Sequence, residues 1–255
     1  STPAETHYEI AKKIILSNKH VLVEKPLTLS IKDSSSLVSL SKEHNVNLMV
    51  GHVLLFHNAI KKIKYFIDSG KIGELQYIYS NRLNLGKVRS NENVFWSLAP
   101  HDISIFQYFT NSYPMKIQAS GSAFLQKGIH DSTITQLTYP NDVNGHIFVS
   151  WLHPFKEHRL VVIGSEAMMS FEDSIDDKPL KLHSKKFDTS KGIPEKIDGP
   201  VEVIKYEKVM PLTEELKYFY KHCISGKPEI AGADHALEVT KILVEASDRI
   251  LNNTP

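Results

Sequence analysis

The stretch His20-Val21-Leu22-Val23-Glu24-Lys25-Pro26 decides the reading of the fold. His20 to Val23 reads as a short buried strand that Glu24-Lys25-Pro26 stops. Pro26 has no N–H and biases Lys25 away from helical backbone, so the strand should end in a corner. Upstream, after Pro3, Ile10, Ile14 and Ile15 recur at helical spacing, and that pattern ends near Asn18. Downstream, a second helix is expected from about residue 30 to residue 44, with Leu37 and Leu40 on its apolar side. Asn47-Leu48-Met49-Val50-Gly51 then reads as another buried strand. Helix, buried strand, helix, buried strand is the rhythm of a parallel sheet with crossover helices, the unit of doubly wound folds.

Beyond about Phe56 the texture changes. Ile60, Ile63 and Ile67 mark a helix that stops at Gly70. Leu75, Tyr77, Tyr79, Leu83 and Leu85 alternate with Gln76, Ser80, Arg82 and Asn84, a long strand with one apolar and one mostly polar face. Further strand-like runs fall at 115–124, 133–139, 145–151, 159–164, 167–171 and 201–206. Turn residues such as Tyr139-Pro140-Asn141-Asp142 separate some of them. A sheet with one face under helices and the other open is expected. Residues 173–200, rich in Lys, Asp, Ser and Gly, read as a mobile loop, and Ala236, Val239, Leu243, Ala246 and Ile250 mark a closing helix.

Composition limits the function. The 255 residues are 41% hydrophobic and 23% charged, as in ordinary globular proteins. Lys+Arg 30 against Asp+Glu 29 leaves +1, which excludes a strongly basic nucleic-acid binder. The single cysteine, Cys223, cannot form an internal disulfide and fits a cytoplasmic setting; core packing is its expected role. The longest apolar stretch, around Leu48 to Phe56, is broken by Gly51 and His52, so no membrane span is expected.

The chemistry has few candidate seats. No two of the 12 glycines are separated by a single residue, so the glycine turn that lets backbone amides approach a pyrophosphate is absent. Lys25, at the carboxyl end of a buried strand, points toward the crevice where open α/β sheets bind ligands; the plain alternative is a solvated lysine. Partial burial would lower its pKa and suit it to acid–base work. Pro100 and His101 are expected in the first turn of an amphipathic helix with Ile105, Phe106 and Phe109. There the helix N-terminus keeps the ring neutral; a capping or core histidine is the alternative, and Asp102 complements the dipole. Arg82 and Asn84 share the polar face of the long strand, where they suit a hydroxylated or phosphorylated ligand or simple exposure. His153 and His158 lack a third ligand at metal-site spacing, so no metal site is expected.

Several of these residues together carry a family resemblance. Thr2-Pro3, His7, Glu24-Lys25-Pro26, Val50-Gly51-His52 and Ser69-Gly70-Lys71-Ile72-Gly73 fall in the order seen in Gfo/Idh/MocA oxidoreductases. The similarity continues through His101-Asp102 to the closing helices. It implies an α/β remnant of a Rossmann domain in residues 1–56 and an α+β domain with a large open-faced, mainly antiparallel sheet in residues 57–255. Members move a hydride between NAD or NADP and a secondary alcohol, usually on a sugar. Residues 79–89 and 96–104 look most like members that oxidise a 3-hydroxyl of a sugar nucleotide.

By that resemblance, Lys25 and His101 are catalytic. Lys25 binds the reacting hydroxyl and the nicotinamide side of the cofactor, and His101 accepts the proton. Thr2, Pro3, His7, Glu24, Lys25 and Pro26 line the cofactor, with Lys25–Pro26 expected in the cis form. His52, Arg82, Asn84 and His101 face a sugar or nucleotide-sugar substrate, and the open sheet forms a homodimer or homotetramer. Two departures stand out. Ser97 occupies the position of a frequent aspartate four residues before the histidine, and a serine cannot share negative charge with the ring. Roughly 70 residues of the Rossmann domain, with its glycine turn, are also absent. The expectation is therefore a piece of a longer enzyme, with little or no turnover on its own and a bare edge on its two parallel strands. The alternative is a non-catalytic sugar-binding or oligomerisation module that has lost its cofactor.

Overall fold

A computed structural model describes residues 2–252 of the chain. The first layer holds α1 (His7–Leu16), β1 (Val21–Val23), α2 (Ile31–Glu43) and β2 (Leu48–Val50). β1 and β2 pair in parallel, Val21 opposite Leu48 and Val23 opposite Val50. Ser30 caps α2, its hydroxyl accepting from the Asp33 N–H at 3.1 Å, one turn into the helix. Among the described residues β1 pairs with β2 alone, so its other edge is bare. Ala11, Ile15, Val21, Val23, Leu37, Leu48 and Val50 form a small core of their own.

The second layer is larger. It contains α3 (Asn58–Asp68), β3 (Leu75–Leu83), α4 (Val94–Thr110), β4 (Lys116–Ser122), β5 (Ser132–Thr138), β6 (Asn144–Ser150), β7 (Glu157–Gly164) and β8 (Met168–Glu172). β9 (Leu180–His183), β10 (Lys186–Asp188), β11 (Glu195–Ile197) and β12 (Val201–Val203) follow, then α5 (Pro211–Ile224) and α6 (Ala233–Asn252). Eight strands make one sheet in the order β12-β9-β8-β7-β3-β6-β5-β4. Only β3 and β6 run parallel; the other pairs are antiparallel. The main core lies between one face of this sheet and the helices, with Phe95, Ile103, Phe106, Ile147, Val149, Val162 and Leu243 buried in it. Gly73 (φ 74°) lets the turn before β3 approach the turn after β7, where a Cβ would lie 2.2 Å from the Ser165 Oγ.

Three expectations change. Residues 173–200 are not a plain loop: β9 joins the main sheet with Leu180 buried, and β10 and β11 form a hairpin. Cys223 is partly buried and does not belong to either core, and Leu216 is 49% exposed, although Phe219 between them packs against the large core. The two faces of β3 are inverted. Ile78, Ser80 and Arg82 lie under the helices, while Tyr77 and Tyr79 stand on the open face. Tyrosine tolerates this because its ring is amphipathic, and the polar residues are tolerated inside because each finds a partner there.

α6 joins the layers. Ala236 packs in the small core, and Val239, Ile242, Leu243 and Ala246 pack in the large one. The Ser34 hydroxyl donates to the Thr240 Oγ1 at 3.2 Å, and Lys42 pairs with Asp234 at 2.6 Å. The Val50 N–H donates to the Ala231 carbonyl at 2.9 Å just ahead of the helix. Together these hold α2 and the carboxyl end of β2 against α6 and the segment before it.

Candidate active site

Lys25 ends the corner that follows β1, and its bond to Pro26 is cis. Its Nζ donates to the Ser97 carbonyl at 2.8 Å, which ties the first layer to α4. Two of its three N–H groups remain for a ligand. Burial lowers the Lys25 ammonium below the usual lysine value; Glu92 opposes that shift more than Glu24 does, so Glu24 is not its main counter-charge. Glu92 itself pairs with Arg89 at 3.0 Å in the segment leading to α4.

His101 lies one helical turn beyond Ser97. α4 starts earlier than expected, because the Asn93 side chain accepts from the Trp96 N–H at 3.1 Å and caps the helix. Pro100 and His101 therefore lie in the second turn, and Pro100 sits inside the helix. The helix dipole is not what keeps the ring neutral. Burial first, then the positive charges of Arg82 and Lys25, hold His101 well below the usual histidine range. Its Nδ1 is buried with no hydrogen-bond partner.

Arg82 and Asp102 behave differently from their sequence reading. The Arg82 Nε and Nη2 each donate to the Asp102 carboxylate at 2.9 Å. The Ser80 hydroxyl donates to the same carboxylate at 2.6 Å. All three are buried, at 1% exposure for Ser80, 9% for Arg82 and 1% for Asp102. Arg82 is thus not a ligand-facing group of the open sheet; it fixes the α4 residue next to His101. Asp102 answers an arginine from β3 rather than a helix dipole. Ser80 and Arg82 two apart on a strand, with an acid beside a candidate histidine, are the sequence signal for this triad. Asn84 lies just past β3, its N–H bonded to the Ser150 carbonyl at 3.1 Å and its Oδ1 buried without a partner.

The expected cofactor-side residues come together. The His7 ring sits between the Pro26 carbonyl at 2.8 Å and the Thr2 carbonyl at 3.1 Å, binding the start of the chain to the Lys25 corner. Pro3 is exposed, and its carbonyl accepts from the Thr6 N–H at 2.9 Å, which closes the turn before α1. Thr2, His7 and Glu24 line a cavity of about 270 Å³ along the bare edge of β1. Gly51 leaves room for the Glu24 carboxylate, which a Cβ there would meet at 3.1 Å.

Sequence reasoning missed two more groups. His235, in the first turn of α6, meets His52 edge to face with ring centroids 5.6 Å apart. His52 is 1% exposed, and its Nδ1 and the His235 Nε2 are both buried without partners. Burial holds His52 well below the usual range and His235 at about 4, so both rings are neutral at physiological pH. Glu215 of α5 lines the same cavity as Glu24. Among the described residues no group of three or more His, Cys, Asp or Glu side chains could hold a metal ion, and no helix is long and apolar enough to cross a membrane.

Comparisons with known proteins follow the same two-layer division. Residues 1–52 match the family model for oxidoreductases with an NAD-binding Rossmann fold, and residues 60–170 match the model for the GFO/IDH/MocA C-terminal domain. An uncharacterized oxidoreductase of Bacillus subtilis is 29% identical over 150 residues, which are 55% of this chain and 44% of that protein. UDP-N-acetylglucosamine 3-dehydrogenase of Acidithiobacillus ferrooxidans is 29% identical over 123 residues, 48% of this chain and 38% of the relative. The chain thus spans less than half the length of these two curated relatives. A crystal structure of the Acidithiobacillus enzyme shares the fold, with a TM-score of 0.85 at 22% identity over 98% of this chain and 77% of that one. With a matched model for each of its layers, the chain belongs to the Gfo/Idh/MocA family of oxidoreductases.

Proposed function

We propose that this chain carries the reacting centre of an NAD- or NADP-dependent oxidoreductase acting on a secondary hydroxyl of a sugar or nucleotide sugar, at the 3-position. Residues 1–56 form its cofactor side and residues 57–255 its substrate side. The observation that carries the reading is that Lys25 reaches the turn of α4 that carries His101 and lies close enough for its charge to act on that ring. The 2.8 Å bond from Lys25 to the Ser97 carbonyl brings a half-buried ammonium beside a neutral, unpartnered imidazole one turn away. Lys25 holds and polarises the substrate hydroxyl with its remaining N–H groups. His101 takes the hydroxyl proton, a role that needs a ring neutral near the working pH. The Arg82–Asp102 pair orients α4 and its positive charge disfavours a protonated His101 before substrate arrives.

The cofactor supplies a hydride acceptor or donor when bound. The residues present fit one end of such a group, because a crevice at the carboxyl ends of two parallel strands faces buried polar atoms that lack partners. Thr2, Pro3, His7, Glu24, Lys25 and Pro26 would hold that end. The pyrophosphate-binding glycine turn is not among these 255 residues. Tyr77, Tyr79 and His146 on the open sheet face support a homodimer or homotetramer through that face.

The test is nicotinamide reduction followed at 340 nm in the full-length protein. Lys25→Ala is expected to lower turnover by about 100-fold or more, and an unimpaired variant removes the role given to Lys25. Ser97 in the place of a frequent aspartate favours a second reading, a sugar-binding or oligomerisation module without catalysis. Full-length protein that binds neither NAD nor NADP decides for that second reading.

A further inference from the structure

We propose that His158, on β7, is a substrate-binding residue of the reacting centre and selects for a second hydroxyl beside the one that reacts. The inference rests on the sugar reading above and adds to it a residue outside the Lys25–His101 arrangement. In the antiparallel β3–β7 pair His158 stands directly across from Arg82, so both side chains lie on the helix-covered face of the sheet. Leu160 and Val162 follow on that face and are buried, whereas His158, near the end of the strand, is half-buried. It marks the rim of the core beneath α4, and it lies close enough to His101 for its charge to act on that ring.

Its polar neighbours within the sheet are already committed to one another. Ser80 and Arg82 bond Asp102, Arg159 pairs with Glu172, and Asp173 pairs with Lys178 at 2.7 Å. The His158 carbonyl accepts from the Asp173 N–H at 2.8 Å, but among the described residues its ring makes no hydrogen bond. A cavity of about 20 Å³ adjoins the ring together with Ser80, Arg82, Asp102 and Asp173. That is room for one water-sized group, such as a hydroxyl, and too little for a phosphate. These residues all belong to the second layer, so the unpaired edge of β1 has no part in the site.

The charge state agrees with that ligand. Burial, then the positive charges of Arg82 and Lys156, hold His158 at about 4, against the opposing carboxylates of Asp173 and Asp102. The ring is therefore neutral at physiological pH and offers one N–H donor and one acceptor nitrogen, the complement of a hydroxyl. A sugar whose reacting hydroxyl meets Lys25 and His101 presents an adjacent hydroxyl to His158.

Steady-state oxidation of UDP-N-acetylglucosamine and of myo-inositol by the full-length protein, with NAD and with NADP, tests this in wild type, His158→Phe and His158→Gln. His158→Phe should raise the KM for the sugar about tenfold, with kcat within about threefold and the KM for the cofactor unchanged. His158→Gln, whose amide again supplies a donor and an acceptor, should recover most of that loss. The wild-type sugar KM should stay flat from about pH 6 to about pH 9, because the ring does not titrate there. An unchanged sugar KM in His158→Phe overturns the role of His158 alone. So does a His158→Gln variant no better than His158→Phe, or a loss that falls on kcat and the cofactor KM alike, since either makes the residue structural. A wild-type protein that oxidises neither sugar overturns the sugar reading and this inference with it.

Discussion

Two sets of buried polar side chains, one between β3 and α4 and one at the crevice, are handled in opposite ways. On the sheet side, Ser80, Arg82 and Asp102 satisfy one another with three hydrogen bonds of 2.6–2.9 Å. On the crevice side, His52, His101, His235 and Glu215 each bury a nitrogen or oxygen with no partner. Both arrangements take polar atoms out of water, but only the first closes its hydrogen bonds within the chain. A closed network fixes geometry, whereas an open one holds capacity for a ligand. The difference separates the part of the molecule that fixes the α4 residue beside His101 from the part that the proposed function assigns to substrate and cofactor.

Breaking the closed side should have the largest effect on stability. Asp102→Ala leaves the Arg82 guanidinium buried and uncompensated, at a cost of about 3–5 kcal/mol. Urea denaturation should show this as a lower midpoint with an unchanged slope. Ser80→Ala removes one donor while the ion pair stays, so a loss of about 1–2 kcal/mol is expected. Equal losses in the two variants would show that the ion pair contributes nothing beyond a hydrogen bond.

The open side should be legible in the pH dependence of stability. Glu215 has its folded-state pKa raised to about 7, above the unfolded carboxyl value. Its contribution to stability is complete below about pH 4 and is lost as pH rises to about 7. His235 has the opposite sign. Its folded pKa is held at about 4, below the unfolded value, so its contribution is present above about pH 6.5 and lost as pH falls toward 4. The two slopes oppose each other across the same window. Glu215→Gln should therefore gain about 1–3 kcal/mol at pH 7.5 relative to wild type and none at pH 4. Melting curves of wild type and variant at both pH values measure the gain, and equal shifts at the two pH values would contradict a buried acid.

How much of this could be read in advance depended on how local each cause is. The corner at Glu24-Lys25-Pro26 and the two parallel strands rest on short apolar runs and a proline, and those signals survive folding, whereas Lys25 and His101 were joined only by the family resemblance. The start of α4 was misread because Pro100 resembles a first-turn proline, while the Asn93 cap that sets the boundary lies seven residues earlier. The faces of β3 were misread because tyrosines alternating with Ser80 and Arg82 look like an apolar face against a polar one. Only the partner carboxylate of Asp102, twenty residues away, reverses that assignment. Glu215 was invisible for a stronger reason. The groups that share its cavity, Thr2, His7 and Glu24, come from the other end of the chain, so no local pattern marks it.

The smallest expected effect tests a third way of treating polar groups, on the open face of the sheet. Tyr79 stands directly across from His146 in the parallel β3–β6 pair, with ring centroids 5.2 Å apart and planes 8° apart. The Tyr77 hydroxyl contacts the same imidazole. These groups partner side by side on a half-buried face, so their burial cost is smaller than in the crevice and the closed geometry of the Arg82 network does not apply. Tyr79→Ser removes one stacked cross-strand pair and should cost about 0.5–1 kcal/mol in the isolated subunit. If a second copy packs on this face, sedimentation of the same variant should show weaker self-association, because the lost ring leaves a gap in both subunits of a symmetric contact. An unchanged sedimentation profile with the expected stability loss would assign the aromatic cluster to the single subunit and remove it from the contact.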